Sequence, residues 1–178
     1  MAVLLLNAGS TSLKYQLFSD GGEVIKRGGS SRVKDFDQAF SQIIEELEFI
    51  GEITAIGHRV VHGGDHYQRP TIINDQVIDY LESIVNLAPL HLPFNLLGVR
   101  LAAEHWPNLP QVAVFDTAFF ANLPTVAKTY ALPLDLATEK HWHRYGFHGL
   151  SHAYLTQAAA DELNKKLEQV NLIICHLG

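Results

Sequence analysis

Asn7-Ala8-Gly9-Ser10-Thr11-Ser12-Leu13-Lys14 decides how the start of this chain folds. It lies between the apolar run Val3-Leu4-Leu5-Leu6 and the strand-like run Tyr15 to Phe18. A short loop of small, hydrogen-bonding residues therefore joins two antiparallel strands. Gly9 leaves backbone N–H groups uncrowded, Ser10, Thr11 and Ser12 bring hydroxyls, Asn7 an amide and Lys14 a cation. Those parts suit phosphate oxygens. A plain polar hairpin turn has the same composition, so the other motifs of the chain decide between the two.

Working outward, Gly21-Gly22 marks a turn, and Val24 to Arg27 makes a third strand of a meander. Asp35 or Asp37 caps a helix whose Phe40, Ile43, Ile44 and Leu47 follow helical spacing. Ile53 to Val61 is a β-branched run closed by Gly63-Gly64. Asn74 caps a second helix bearing Val77, Ile78, Leu81, Ile84 and Val85, and Pro93 opens a third with Leu97, Leu101 and Trp106 inward. Gln111 to Phe115 reads as a short strand stopped by Asp116, and Ser151 to Leu167 as a helix ending at Lys165-Lys166. Asn171 to His176 has the pattern of a buried strand. The expected fold is an α/β mixed sheet covered by helices. A central-type strand just before Gly178 points to a truncated chain or half of a longer protein.

The totals bound the function. The 178 residues suffice for one well-buried domain, and 47% hydrophobic with 18% charged residues is a globular composition. A net charge of -6 without a basic run argues against nucleic acid and anionic membrane as partners. The single Cys175 gives no internal disulfide and suits a reducing, cytoplasmic compartment. The N-terminal apolar stretch is too short for a signal peptide or membrane span.

Three further constellations carry chemistry. In Gly57-His58-Arg59-Val60-Val61-His62-Gly63-Gly64, strand alternation puts Arg59 and Val61 on one face, a guanidinium fork for an anion beside an apolar floor. An ion-paired surface arginine is the competing reading. In Val112 to Thr117, Asp116 ends an apolar strand where α/β folds place active groups, though an aspartate there also serves as a helix cap. In Tyr145-Gly146-Phe147-His148-Gly149-Leu150-Ser151-His152, glycines flank Phe147-His148 and permit close approach by a ligand. His148 then sits at the positive end of a helix, able to donate a hydrogen bond to developing negative charge. Two rival readings are weaker. His58, His62 and His66 at four-residue spacing, and His148 and His152 likewise, suggest a zinc pair, but the glycines argue against a helix in the first set and neither set has a His-Glu-x-x-His arrangement. Gly149-Leu150-Ser151-His152-Ala153 is similar to a serine-hydrolase elbow, but no hydrophobic strand precedes it.

Taken together, Asn7–Lys14, Gly57–Gly64, Ala88-Pro89-Leu90-His91, Val114–Phe119, Arg144–His152 and Leu172–Gly178 resemble the N-terminal half of the acetate kinase (acetokinase) family. The resemblance implies a ribonuclease-H-like mixed sheet flanked by helices, of the actin/Hsc70/sugar-kinase superfold. It implies that residues 1–178 form the N-terminal domain and that a C-terminal domain is absent from this chain. It also implies transfer of the γ-phosphoryl group of ATP to acetate, giving acetyl phosphate and ADP, with Mg²⁺ (or Mn²⁺), by a cytoplasmic homodimer. Propionate kinase and a non-catalytic small-anion-binding domain are the alternatives.

By the same resemblance, Asn7 helps hold the metal and phosphate, and Ser10, Ser12 and Lys14 form the phosphate loop. Arg59 binds the carboxylate, while Val61, Leu90 and Phe147 line the methyl pocket. Asp116 is the acid/base or metal-organising aspartate, and His148 stabilises the transferring group. His176, Leu177 and Gly178 begin a second phosphate segment. Two departures stand out: Leu92 replaces an asparagine usual at the rim of the site, and the stretch from Phe18 to Gly57 is short. One wall of a two-walled site is expected, with negligible turnover by these residues alone.

Overall fold

A computed structural model describes residues 1–48 and 52–177, which form two compact units, Met1–Phe115 and Asp116–Gly178. The first holds a six-stranded sheet in the order β3-β2-β1-β4-β6-β5. Its strands are β1 (Ala2–Gly9), β2 (Ser12–Ser19), β3 (Val24–Ser31), β4 (Ile53–Val60), β5 (Thr71–Ile72) and β6 (Gln111–Phe115). β3-β2-β1 is an antiparallel meander, β1-β4-β6 is parallel, and β5 is an antiparallel edge. This is the mixed, ribonuclease-H-like arrangement expected.

Alternation sets the two faces. Leu4, Leu6, Ala8, Leu13, Tyr15 and Leu17 are buried on one face. Helices α1 (Phe36–Leu47) and α3 (Leu92–His105) cover it, with Phe36 against Phe94 and Phe40 against Trp106. Asp35 caps α1 by accepting from the Gln38 N–H (3.0 Å), and Asn74 caps α2 (Asp75–Ser83) by accepting from Val77 (3.0 Å). These caps leave fewer orphan N–H groups in the first turn. On α3 the fully buried positions are Leu92, Asn95, Leu96, Gly98, Val99 and Ala102, while Leu97, Leu101 and Trp106 are half-buried against the core. The Tyr15 hydroxyl donates to a Glu46 carboxylate oxygen, and its ring fills space that a side chain at Gly28 would occupy.

Four boundaries differ from expectation. The strands run into the Asn7–Lys14 motif, so only Ser10-Thr11 forms the turn, and cross-strand pairing persists to Gly9↔Ser12. β3 continues to Ser31, because pairing with β2 tolerates Gly28 and Gly29. In the second unit, α4 (Thr125–Lys128) and α5 (Leu134–Glu139) precede α6, which spans Gly149–Glu162. α6 stops before Lys165-Lys166 because Asn164 takes φ 52°. The Lys165 N–H then bonds to the Ala160 carbonyl and that of Asn164 to Asp161, a Schellman closure. Residues Asn171–Leu177 form no strand and are almost wholly exposed. The second unit has no strand among its described residues, so the Leu-Ile-Ile-Cys pattern finds no sheet there to join. No helix is long and apolar enough to cross a membrane among the described residues.

Candidate active site

Partners across a sheet share a face, and the register brings three candidates of the first unit into one row. Lys14 is paired with Asn7 and Arg59 with Val114; the last pair between β1 and β4 is Leu6↔His58, the residues directly before Asn7 and Arg59. Neighbouring strands lie about 5 Å apart. Lys14, Asn7 and Arg59 therefore line the less buried face of three adjacent strands, at the carboxyl ends of β1 and β4. Ser12 opens β2, and Ser10 forms the turn above.

The loop after Arg59 is held by its own side chains. The buried His62 accepts from the Gly64 N–H at Nδ1 (2.8 Å), and Tyr67 stacks on Phe115 (5.7 Å). Val61 follows β4 and is half-buried, whereas Leu90 is 73% exposed and encloses nothing within its own unit. Leu92 is fully buried at the start of α3, so it packs in the core and does not stand at a rim.

His58, His62 and His66 do not make a metal set. His58 lies within β4 with Nε2 against the Gln111 amide (2.6 Å), and His66 packs against Tyr67 and Tyr80. The Gln111 amide forms most bonds when its Nε2 donates to His58 and to the Val99 carbonyl, while its Oε1 accepts from the Ala103 N–H. Burial pushes the His58 imidazole down from 6.5 to about 4. Among the described residues, no group of three or more His, Cys, Asp or Glu could hold a metal ion.

In the second unit, Asp116 is 1% exposed. Thr117, not Asp116, holds the N-cap position of the 3-10 turn Ala118–Phe120. His148 is the N-cap of α6 in the left-handed region (φ 54°), a conformation histidine enters more readily than most residues. Its ring stacks on His176 (4.4 Å, 10° between planes), whose Nδ1 is 3.0 Å from the Ser151 hydroxyl. Phe147 is 40% exposed. The glycines that flank Phe147-His148 are required by the chain itself. A Cβ at Gly149 would lie 2.1 Å from the Asp116 carbonyl oxygen, and one at Gly146 would lie 2.1 Å from the Phe120 ring. The Gly149 N–H donates to that Asp116 carbonyl (2.9 Å), which fixes the helix start to the aspartate's backbone. Ser151 lies in the first turn of α6 with coil before it, not on a strand-to-helix elbow. Gly178 lies outside the described residues.

Sequence reading missed Asn95, a buried amide on α3 that bonds to Ala8 and Val61. The available signal was a polar residue three positions before Gly98, on a helix otherwise apolar on that side. A concavity of about 520 Å³ opens at the other end of the first unit, among Ile44, Leu47, Ile53, Trp106 and Leu109, and contains none of the candidate residues.

Residues 23–178 match the acetokinase family. The chain is 44% identical to the acetate kinase of Sulfurovum sp. over 100% of its own length and 52% of that protein. It is 39% identical to the acetate kinase of Natranaerobius thermophilus, again over its whole length and 53% of the relative. The crystal structure of Porphyromonas gingivalis acetate kinase superposes with TM-score 0.85 and 34% identity, covering 94% of this chain and 50% of that one. A propionate kinase from Francisella tularensis superposes with TM-score 0.81 and 31% identity, covering 93% and 50%. The chain thus spans about half the length of the relatives it matches.

Proposed function

Because the chain belongs to the acetokinase family, we propose that it forms one wall of a carboxylate kinase site. The reaction is reversible transfer of the γ-phosphoryl group of ATP to acetate, giving acetyl phosphate and ADP. The observation that carries this reading is the row Lys14, Asn7 and Arg59 at the carboxyl ends of β1 and β4, where open α/β sheets bind ligands.

Attack of a carboxylate on a phosphoryl group is in-line, and positioning and charge stabilisation dominate it. Acetate is ionised at neutral pH, so the nucleophile needs no strong base. Asp116 is therefore an organiser of metal or water rather than a proton abstractor. Arg59 holds the attacking anion, and the acetokinase reading assigns Val61, Leu90 and Phe147 to its methyl group. Ser10, Ser12 and Lys14, with His176 and Gly178, hold phosphate. His148 donates to the moving phosphoryl group from the start of α6.

Mg²⁺ keeps several waters and takes one or two protein oxygens plus phosphate oxygens. Asn7 offers an amide oxygen of that kind and Asp116 a carboxylate, the roles the acetokinase reading gives each of them. A bound ion would supply charge neutralisation at the phosphates. Residues 1–178 act as the N-terminal domain, and turnover needs the complementary half of the protein. Cytoplasmic residence and homodimerisation of the intact protein belong to the same reading.

The test is acetyl phosphate formation by the full-length protein. Arg59→Ala removes about 2–4 kcal/mol of transition-state stabilisation, a loss in kcat/KM of about 30- to 900-fold. Retention of the wild-type rate would sink the assignment of Arg59. The likeness to a propionate kinase structure supports a second reading, with propionate as substrate. One methylene is worth about 1–3 kcal/mol in such a pocket, and the ratio of kcat/KM for the two acids decides between them.

A further inference from the structure

β1 and β4 pair in parallel only as far as Leu6↔His58. Beyond that point each continues with its outer neighbour alone: Asn7 and Ala8 with Lys14 and Leu13, Arg59 and Val60 with Val114 and Phe115. The two strands thus part at the level where Asn7 and Arg59 stand. The ladder leaves the Ala8 carbonyl and the Val61 N–H without each other as partners. Asn95 meets both from α3. Its Nδ2 donates to the Ala8 carbonyl (2.6 Å), and its Oδ1 accepts from the Val61 N–H (2.9 Å).

Because a carbonyl only accepts and a backbone N–H only donates, the amide orientation is fixed by its partners. A carboxylate would satisfy one of the two groups and an apolar side chain neither. Asn95 is buried, so water does not replace it cheaply. One turn further along the helix, Gly98 lets α3 come close; a Cβ there would lie 2.9 Å from that of Ala8.

We infer that Asn95 is a positioning residue for phosphoryl transfer: its one amide sets the spacing between the hairpin bearing Asn7 and Lys14 and the strand bearing Arg59 and Val61. The inference rests on the carboxylate-kinase reading, since it assigns separate binding roles to the two strands that Asn95 joins. Without the amide, no ladder pair joins the two strands beyond Leu6↔His58, and the anion and the phosphate drift relative to each other. A displacement of about 1 Å costs on the order of 100-fold in rate.

The experiment compares full-length wild type, Asn95→Asp, Asn95→Ala and Val99→Ala. Val99 is buried on the same helix but bonds to neither strand end through its side chain, so its variant controls for general loss of packing. Well below the melting temperature, both Asn95 variants are expected to lower kcat by roughly 10- to 100-fold, and Val99→Ala to leave it near wild type. Hydrogen exchange at the Val61 amide should accelerate in Asn95→Ala and not in Val99→Ala. If Asn95→Ala does not fold, Asn95→Asp carries the kinetic test, since it keeps the acceptor for Val61 and turns an acceptor oxygen towards the Ala8 carbonyl in place of the donor. An active wild type whose Asn95 variants keep full kcat, or lose no more than Val99→Ala, overturns the positioning role alone. A wild type with no carboxylate kinase activity overturns the underlying reading, and the catalytic role of Asn95 with it.

Discussion

Val3–Leu6 and Leu172–Cys175 are both short runs of consecutive apolar residues, yet they end in opposite states. In the first, alternate side chains enter a core under α1 and α3, and Leu4 is fully buried. In the second, the segment is coil, and Ile173 is 95% exposed. An apolar run states a demand for burial; whether it is met depends on a neighbouring strand, which no local pattern contains. The first unit supplies that neighbour in β2 and β4, whereas the described residues of the second unit supply no strand at all.

The largest expected effect that sharpens this contrast is Leu4→Ala. It should destabilise the chain to urea by about 2–5 kcal/mol, because the surrounding core cannot collapse into the space. A loss below 1 kcal/mol would mean that the first run is no more committed than the second. Next comes acid. His58 is buried with a lowered pKa, so the unfolded chain binds the extra proton more readily. Its contribution is fully present above about pH 6.5 and lost as pH falls towards 4; a gap that wide corresponds to about 3 kcal/mol. Replacing His58 with Gln should flatten that part of the stability-against-pH curve, and an unchanged slope would reassign the acid sensitivity elsewhere. Asn74→Ala should cost about 1 kcal/mol by removing the cap on Val77, measurable as a shift in urea midpoint. Smallest is Ile173→Ser, expected within about 0.5 kcal/mol; a loss of several times that would show the segment to be buried in solution.

What was legible in the sequence was local. Asp35 and Asn74 announce their helices because a cap and its N–H partner lie within one turn. Chemistry-bearing residues were legible because Lys14, Asn7 and Arg59 are polar intrusions in strand-like runs. Their arrangement in one row was not, because register is a relation between strands. The two-residue strand β5 escaped for the same reason: it exists through pairing with β6. The end of α6 escaped because Asn164 closes it where glycine is the usual signal. Asn95 shows the limit most clearly. Its two partners, Ala8 and Val61, are far from it in the chain, and only the folded sheet brings their unpaired groups to one helix.

The phenol of Tyr15 offers a way to watch the sheet open. Burial and the Glu46 carboxylate hold its ionisation well above the ordinary tyrosine value. In mild alkali this ring stays neutral and adds nothing to the near-ultraviolet phenolate spectrum. Its late contribution to that spectrum would then time the release of β2 from α1, using a chromophore the chain already carries.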